Sequence, residues 1–228
     1  LIVGTLTVYK QLRYIQSKNL GLDRENVIYT FLNPTLREKL PAVKEELLRK
    51  PGIQGVSSSS QSPLDVTSGT HSYAWPGLIK EGRKEIHTLS INYDFLEVMD
   101  MKLKQGRAFD TAFGADSITY IINEELQQYM GIEDPIGKRV ELYGREAGTI
   151  IGVVEDFHMS SLYDEIEPLI ILLRPNNTFR LFMRTEAGKT KEAIASLEAV
   201  YEAFSPNVPF TYFFLDEQYQ ATYESELV

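Results

Sequence analysis

Gly148-Thr-Ile-Ile-Gly-Val-Val-Glu-Asp-Phe-His158 is the stretch on which the reading of this chain turns. Thr149 to Val154 is rich in β-branched residues that pack well on a pleated surface, which predicts a buried strand. The strand then gives way to Glu155-Asp156-Phe157-His158, three ionisable groups around one aromatic ring. A strand that delivers Glu, Asp and His together invites a catalytic or metal-site reading. Successive strand residues point to opposite faces, so Glu155 and Asp156 converge only if the strand has already ended. The competing reading is a polar exit from a strand, anchored by Phe157.

Working outward, Ser117–Ile122 reads as another buried strand that feeds into a helix from Asn123 to Met130. Asn123 is a suitable N-cap, Glu124 and Glu125 favour the positive helix end, and Gly131 closes it. Asp134-Pro-Ile-Gly137 is a turn, and Arg139–Tyr143 is predicted to pair with Thr149–Val154 through the loop at Gly144. Pro168–Leu173 follows as a strand. Upstream, His71–Trp75 and Glu85–Ile91 read as paired strands across the polar turn Lys80–Lys84. Asn92–Met99 reads as a short helix with a capping start, and Lys102–Phe109 as a strand carrying Gly106-Arg107.

The two ends of the chain share a pattern. Asn26–Leu32 is a strand, and Leu36, Leu40, Val43, Leu47 and Leu48 mark one helix face. Thr35-Leu-Arg-Glu38 has capping-box spacing, but Pro41 removes a helical donor, so the helix either kinks there or begins there. Lys50-Pro51-Gly52 stops it before the strand Ile53–Ser60. Near the other end come a strand at Phe179–Arg184, a helix at Lys189–Phe204, a strand at Pro209–Leu215 and a helix from Asp216. Together these two β-α-β units predict one ferredoxin-like sheet. The serine run Ser57–Ser60 and the polar loop after it place a boundary near residue 63. The expected fold class is therefore α+β. A porter-like unit is built from residues 26–63 and 174–228, and a mainly β unit, 64–173, is inserted into it.

Among the 228 residues, 43% are hydrophobic and 24% charged, ordinary values for a chain that builds a core. A net charge of −9 argues against nucleic acid, whose phosphates require a basic face. With no cysteine, thiolate metal sites, a thiol nucleophile and disulfides are excluded. None of the three histidines, His71, His87 and His158, is followed by a second His or a carboxylate at i+3 or i+4. Gly188-Lys189-Thr190 looks like the tail of a P-loop, but Met183 occupies the position of its first glycine, so there is no phosphate cradle. Asn176-Asn177-Thr178 matches a glycosylation sequon that carries little meaning by itself. No catalytic, cofactor or metal residues are assigned, and the chain is expected not to be an enzyme.

Leu1–Tyr9 is apolar but falls short of the roughly 20 residues that cross a bilayer. It reads either as the end of a membrane helix or as a buried first element, followed by a helix over Lys10–Lys18 that Gly21 would cap. Residues 1–25 are expected to lie close to a membrane. Tyr9, Tyr14, Tyr212, Tyr219 and Tyr223 at the two ends read either as membrane-interface residues or as ordinary half-buried tyrosines.

These motifs in combination resemble a known family. Asn123-Glu124 after a buried strand, Gly131, Asp134-Pro-Ile-Gly-Lys138, Ile151-Gly-Val-Val-Glu-Asp-Phe-His158 and Pro168 are similar to the periplasmic core domain of MacB/FtsX-type ABC transporter permeases. Gln11, Asn19-Leu-Gly21, Pro51-Gly-Ile53 and Gly106-Arg-Ala-Phe109 also fit, so the resemblance runs from about residue 10 to 225. It is strongest to the divergent permeases of Bacteroidetes-type bacteria. The resemblance implies a periplasmic domain between two transmembrane helices of a bacterial inner-membrane protein. It further implies a cytoplasmic ABC ATPase domain or subunit, a second permease copy and a periplasmic partner or cargo. It transfers no catalytic residue. The alternative is a stand-alone binding or hydrolytic domain that uses Glu155, Asp156 and His158.

Overall fold

The computed structural model describes residues 21–78, 83–114, 118–144, 147–160 and 164–226, with side chains described up to 221 in the last helix. Along the chain run β1 (Val27–Phe31), α1 (Pro34–Glu38), α2 (Leu40–Leu48), β2 (Ile53–Ser59), β3 (Gly69–Thr70), β4 (Tyr73–Ala74) and β5 (Ile86–Ile91). Then come α3 (Phe95–Val98), β6 (Leu103–Gly106), β7 (Thr119–Asn123), α4 (Glu124–Met130), β8 (Arg139–Leu142) and β9 (Gly148–Val154). Last are β10 (Leu169–Leu173), β11 (Arg180–Thr185), α5 (Thr190–Phe204), β12 (Phe213–Phe214) and α6 (Leu215–Glu226). The predicted helix over Lys10–Lys18 and the apolar Leu1–Tyr9 lie outside the described residues.

Strands from the two chain ends lie side by side in the order β12-β1-β11-β2. Each is antiparallel to its neighbour. This is the ferredoxin-like arrangement of two interleaved β-α-β units. β1 and β2 never touch as a pair, because β11 inserts between them. Alternation along the strands divides the side chains between two faces. Ile28, Leu181 and Met183 face α2 and α5, where they pack with Val43, Leu47, Leu197 and Val200. Val27, Tyr29 and Phe182 face the opposite way and enter a second core.

In the segment between β2 and β11 the strand order is β5-β10-β7-β9-β8-β4. β10 runs parallel to β5 and antiparallel to β7, and β7 runs parallel to β9. All five residues of β10 are buried, as expected for a central strand covered on both faces. The free edge of β9 is shared: β8 pairs at Gly148 and Thr149, and β6 pairs from Gly152 to Val154. A Cβ on Gly152 would stand 2.5 Å from the carbonyl oxygen of Arg107, so this position admits only glycine without backbone movement.

A narrow seam joins the two groups of strands. In the ladder, β2 meets β5 only at Ser59 and Ile91. The N–H groups of Ser60 and Asn92 donate to Ser90 O and Ser58 O at 2.8 and 2.9 Å. Ser57, Ser58 and Ser59 are buried here, where an unpaired hydroxyl would be costly. Their hydroxyls bind Tyr93 O, Thr178 Oγ1 and Gln61 O.

Local differences from the sequence reading have identifiable causes. His71–Trp75 does not pair with Glu85–Ile91: Gly69-Thr70 takes that edge, and Tyr73-Ala74 pairs with β8. The Thr70 hydroxyl accepts from Ser72 N at 2.9 Å, a turn that redirects the chain between the two short strands. The first helix is capped by Asn33, not Thr35, with Pro34 at its start; it breaks at Lys39, and α2 begins with Pro41 in its first turn. The Asn92 side chain binds Tyr93 N, and α3 begins instead after Asp94, which has a left-handed backbone. Only Phe213 and Phe214 of the expected strand Pro209–Leu215 join the ladder, and Leu215 already starts α6.

Candidate functional site

The exit of β9 is a junction of three segments. Asn123, fully buried at the end of β7, accepts from Leu126 N at 3.0 Å and so caps α4. Its side chain also accepts from Leu169 N and donates to Glu167 O, both at 2.9 Å, which ties β10 to the same point. Asp156 Oδ1 accepts from Glu125 N at 2.9 Å, while Glu124 Oε2 accepts from Asp156 N at 3.1 Å. The first turn of α4 thus has two of its orphan N–H groups satisfied by side chains, one of them Asp156. Lys104 from β6 binds the other oxygen of Glu124.

The electrostatics follow this geometry. Burial pushes the Asp156 carboxyl above its usual range, opposed by the Glu125 N–H and assisted by the charges of Glu124 and Glu125. The hydrogen bond from Lys104 holds the Glu124 carboxyl below its usual range. Glu155 is exposed, and its N–H donates to Lys102 O at 2.8 Å. Phe157 is fully buried in the core that also contains Tyr29 and Phe182 of the outer strands. Asp156 therefore acts on a helix end, Glu155 faces solvent, and Phe157 joins the two groups of strands. Among the described residues no three of His, Asp and Glu are placed to hold a metal ion.

Gly21–Glu25, the segment leading into β1, is wedged against this junction. Gly21 has φ +82°, and a Cβ there would collide with the carbonyl oxygen of Asp156 and with Phe157. Two residues on, Asp23 N donates to Met99 O at 2.9 Å. Arg184 of β11 gathers the neighbouring groups. Its Nε donates to Val98 O at 2.7 Å, Nη1 to Asp23 Oδ2 at 2.8 Å and Glu25 O at 3.1 Å, and Nη2 to Asp23 O at 2.8 Å. Arg24 lies over the ring of Tyr219, with its guanidinium carbon 4.2 Å from the ring centroid. The leading segment and α6 are thus in contact, and Leu22, Leu215 and Tyr219 share one core with Phe157.

Beside the seam lies a cleft of about 890 Å³ bordered by α2, α3 and the loop after β6. Leu40, Leu48, Leu96, Phe109 and Phe113 supply apolar surface, and Lys44, Glu45, Asp94 and Glu97 lie among its charged lining. Lys44 Nζ binds Asp94 Oδ2 at 2.5 Å across it. Its described lining contains neither histidine nor serine, so it presents no nucleophile–base pair of that kind.

Other residues singled out from sequence have structural partners. His87 Nε2 lies 2.8 Å from Glu167 Oε2, and His71 O accepts from Arg83 at 3.1 Å. Lys189 pairs with Glu186 before α5. Thr178 of the sequon is buried against Ser58. Tyr219, one of the tyrosines with two readings, is buried, because Arg24 and the core close over its ring. Tyr212 is partly exposed and stacks on Phe210. Tyr9, Tyr14 and the side chain of Tyr223 lie outside the described residues. Arg184 was not singled out, although a charge following Leu181-Phe-Met183 in a buried strand is a readable signal of a fixed partner.

The family model of MacB-like periplasmic core domains matches residues 1–200. The chain belongs to this family. Its fold is similar to the periplasmic region of MacB from Actinobacillus actinomycetemcomitans, with a TM-score of 0.60 and 15% identity over 91% of this chain and 97% of that one. It is also similar to the extracellular domain of the noncanonic ABC-type transporter YknZ from Gram-positive bacteria. There the TM-score is 0.57 and identity 18%, over 82% of this chain and 98% of that one. A domain of a putative permease protein from Porphyromonas gingivalis gives 0.53 and 21%, over 75% and 79%. At such identities the likeness is one of fold, and it matches the porter-like α+β arrangement described above. No curated protein matches the chain. As a MacB-like periplasmic core domain it is part of an ABC transporter permease, and no helix among the described residues is long and apolar enough to cross a membrane.

Proposed function

We propose that this domain is a non-catalytic transducer that converts ATP-driven movement of a membrane-embedded permease into handling of a substrate or partner protein in the periplasm. The observation that carries the reading is the contact of Arg24 with Tyr219. It brings the leading segment and α6 together where both enter one core. If each continues into a transmembrane helix, a relative displacement of those helices is passed to the core. The energy comes from a cytoplasmic ABC ATPase, fused or separate, and a second permease copy completes the transporter.

Residues 26–63 and 174–228 form the porter-like unit, residues 64–173 form the inserted unit, and the cleft between α2 and α3 changes shape when they move. The sparse ladder contact at Ser59 and Ile91 supports this division. Family membership and the capping role of Asp156 favour the transducer over a hydrolase built on Glu155, Asp156 and His158.

Location is tested by a cysteine placed in this domain, which has none of its own, in a full permease whose other cysteines are replaced. Ala112→Cys in the full permease is expected to react with a membrane-impermeant maleimide in intact cells. Labelling only after lysis contradicts a periplasmic position.

A further inference from the structure

We propose that α3 is a releasable clasp on the cleft, held by two basic residues of the outer strands and helices, and that Arg184 makes its grip depend on the position of Asp23. At the start of α3, Lys44 binds Asp94 Oδ2 at 2.5 Å and Tyr93 O at 3.5 Å. At its end, Arg184 Nε binds Val98 O at 2.7 Å. Between these ties α3 packs on the face of β2 that carries Gly55, which leaves room for Val98: a Cβ on Gly55 would stand 3.0 Å from the valine side chain.

The guanidinium is planar, and its donors keep a fixed angular relation, so its partners must move in concert. Here those partners are the Val98 carbonyl on one side and Asp23 and Glu25 on the other. Asp23 N also donates straight to Met99 O, which gives α3 and the leading segment a direct tie. Drawing Asp23 away from Arg184 therefore weakens both holds on the end of α3. The segment is flanked by strained backbone, since Asp94 and Asp100 have φ of +66° and +51°. Such conformations persist only when surrounding contacts enforce them, so loss of the ties loosens the ends of α3 while Phe95, Val98 and Met99 stay anchored in the core. Beyond α3 the ladder joins the two groups of strands at the Ser59–Ile91 pair, and the core shared by Phe157, Tyr29 and Phe182 keeps any swing of the inserted strands small. The hydrophobic contacts of Phe95 with Phe182 then act as the pivot.

The clasp builds on the reading that membrane movement reaches Asp23, but its test does not involve transport, so the two can fail separately. In the cysteine-free chain, nitroxide labels at Ala42→Cys on α2 and Ala112→Cys beyond β6 report the width of the cleft by pulsed dipolar spectroscopy. The otherwise native chain is expected to give one narrow distance. Arg184→Met is expected to broaden the distribution and shift it to longer distance. Arg184→Lys keeps the charge but not the fork, and is expected to fall between. A native distribution in Arg184→Met overturns the clasp. If Arg184→Met does not fold, Asp23→Ala, which removes only one exposed partner, decides it: broadening supports the clasp, and a native distribution overturns it.

Discussion

The backbone N–H of Glu125 donates to the carboxylate of Asp156 at 2.9 Å, which joins the first turn of a helix to a strand exit 31 residues away. This bond gives the most suggestive residue of the sequence a structural role as a helix cap. It also fixes where Phe157 must point, because the peptide after Asp156 is held against Gly21.

Asp156→Ala is expected to cost about 1 kcal/mol, the usual loss when a helix cap is removed. Asp156→Asn retains an oxygen for the Glu125 N–H and should cost less. Urea denaturation of both variants at neutral pH checks the order, and equal losses contradict the capping role.

The two carboxylates at this junction should respond to pH in opposite directions. Asp156 has a folded pKa raised above its ordinary 3.8, so it favours the folded state at low pH, and that contribution is lost as pH rises through the folded value. Glu124 is depressed below 4.5, so its contribution is present above that value and lost as pH falls through the folded one. Between about pH 3 and 6, Asp156→Asn should gain stability relative to the parent as pH rises, and Glu124→Gln should lose it. The Glu124 effect is small, within about 1 kcal/mol, because Lys104 is solvent-exposed.

Phe157→Ala is expected to destabilise by about 3–5 kcal/mol, as for a large aromatic removed from a packed core. His158→Ala is expected to leave transport by the full permease unchanged. Thermal denaturation checks the first and a transport assay the second. Loss of transport in a folded His158→Ala protein revives the hydrolytic reading.

Gly152→Ala is expected to cost about 1–3 kcal/mol, because its methyl group meets the Arg107 carbonyl rather than a side chain that can turn aside. A variant as stable as the parent shows that the loop carrying Arg107 yields easily.

Much of this architecture was legible because local chemistry and tertiary placement agree. Asn123, followed by two glutamates and closed by Gly131, states a helix that the structure reproduces. The ferredoxin-like outer sheet was readable because Ile28, Leu181 and Leu197 keep their periodicity through strand and helix. The pairing of Tyr73-Ala74 with β8 was not readable, since two residues carry no period and a hydroxyl of Thr70 sets the turn. The capping role of Asp156 depends on a helix 31 residues upstream, a distance at which sequence spacing says nothing. Arg184 gathers partners from two separated segments, Asp23–Glu25 and the end of α3 at Val98, which only the folded chain brings together.

Transduction requires that motion reach the leading segment and α3 together. Hydrogen exchange on the full transporter in lipid, with its ATPase either nucleotide-free or locked with ATP, measures this directly. Residues 21–26 and 94–101 are predicted to change protection together between the two states, while α5 stays constant. Unchanged exchange in both segments under ATP would contradict the transducer role.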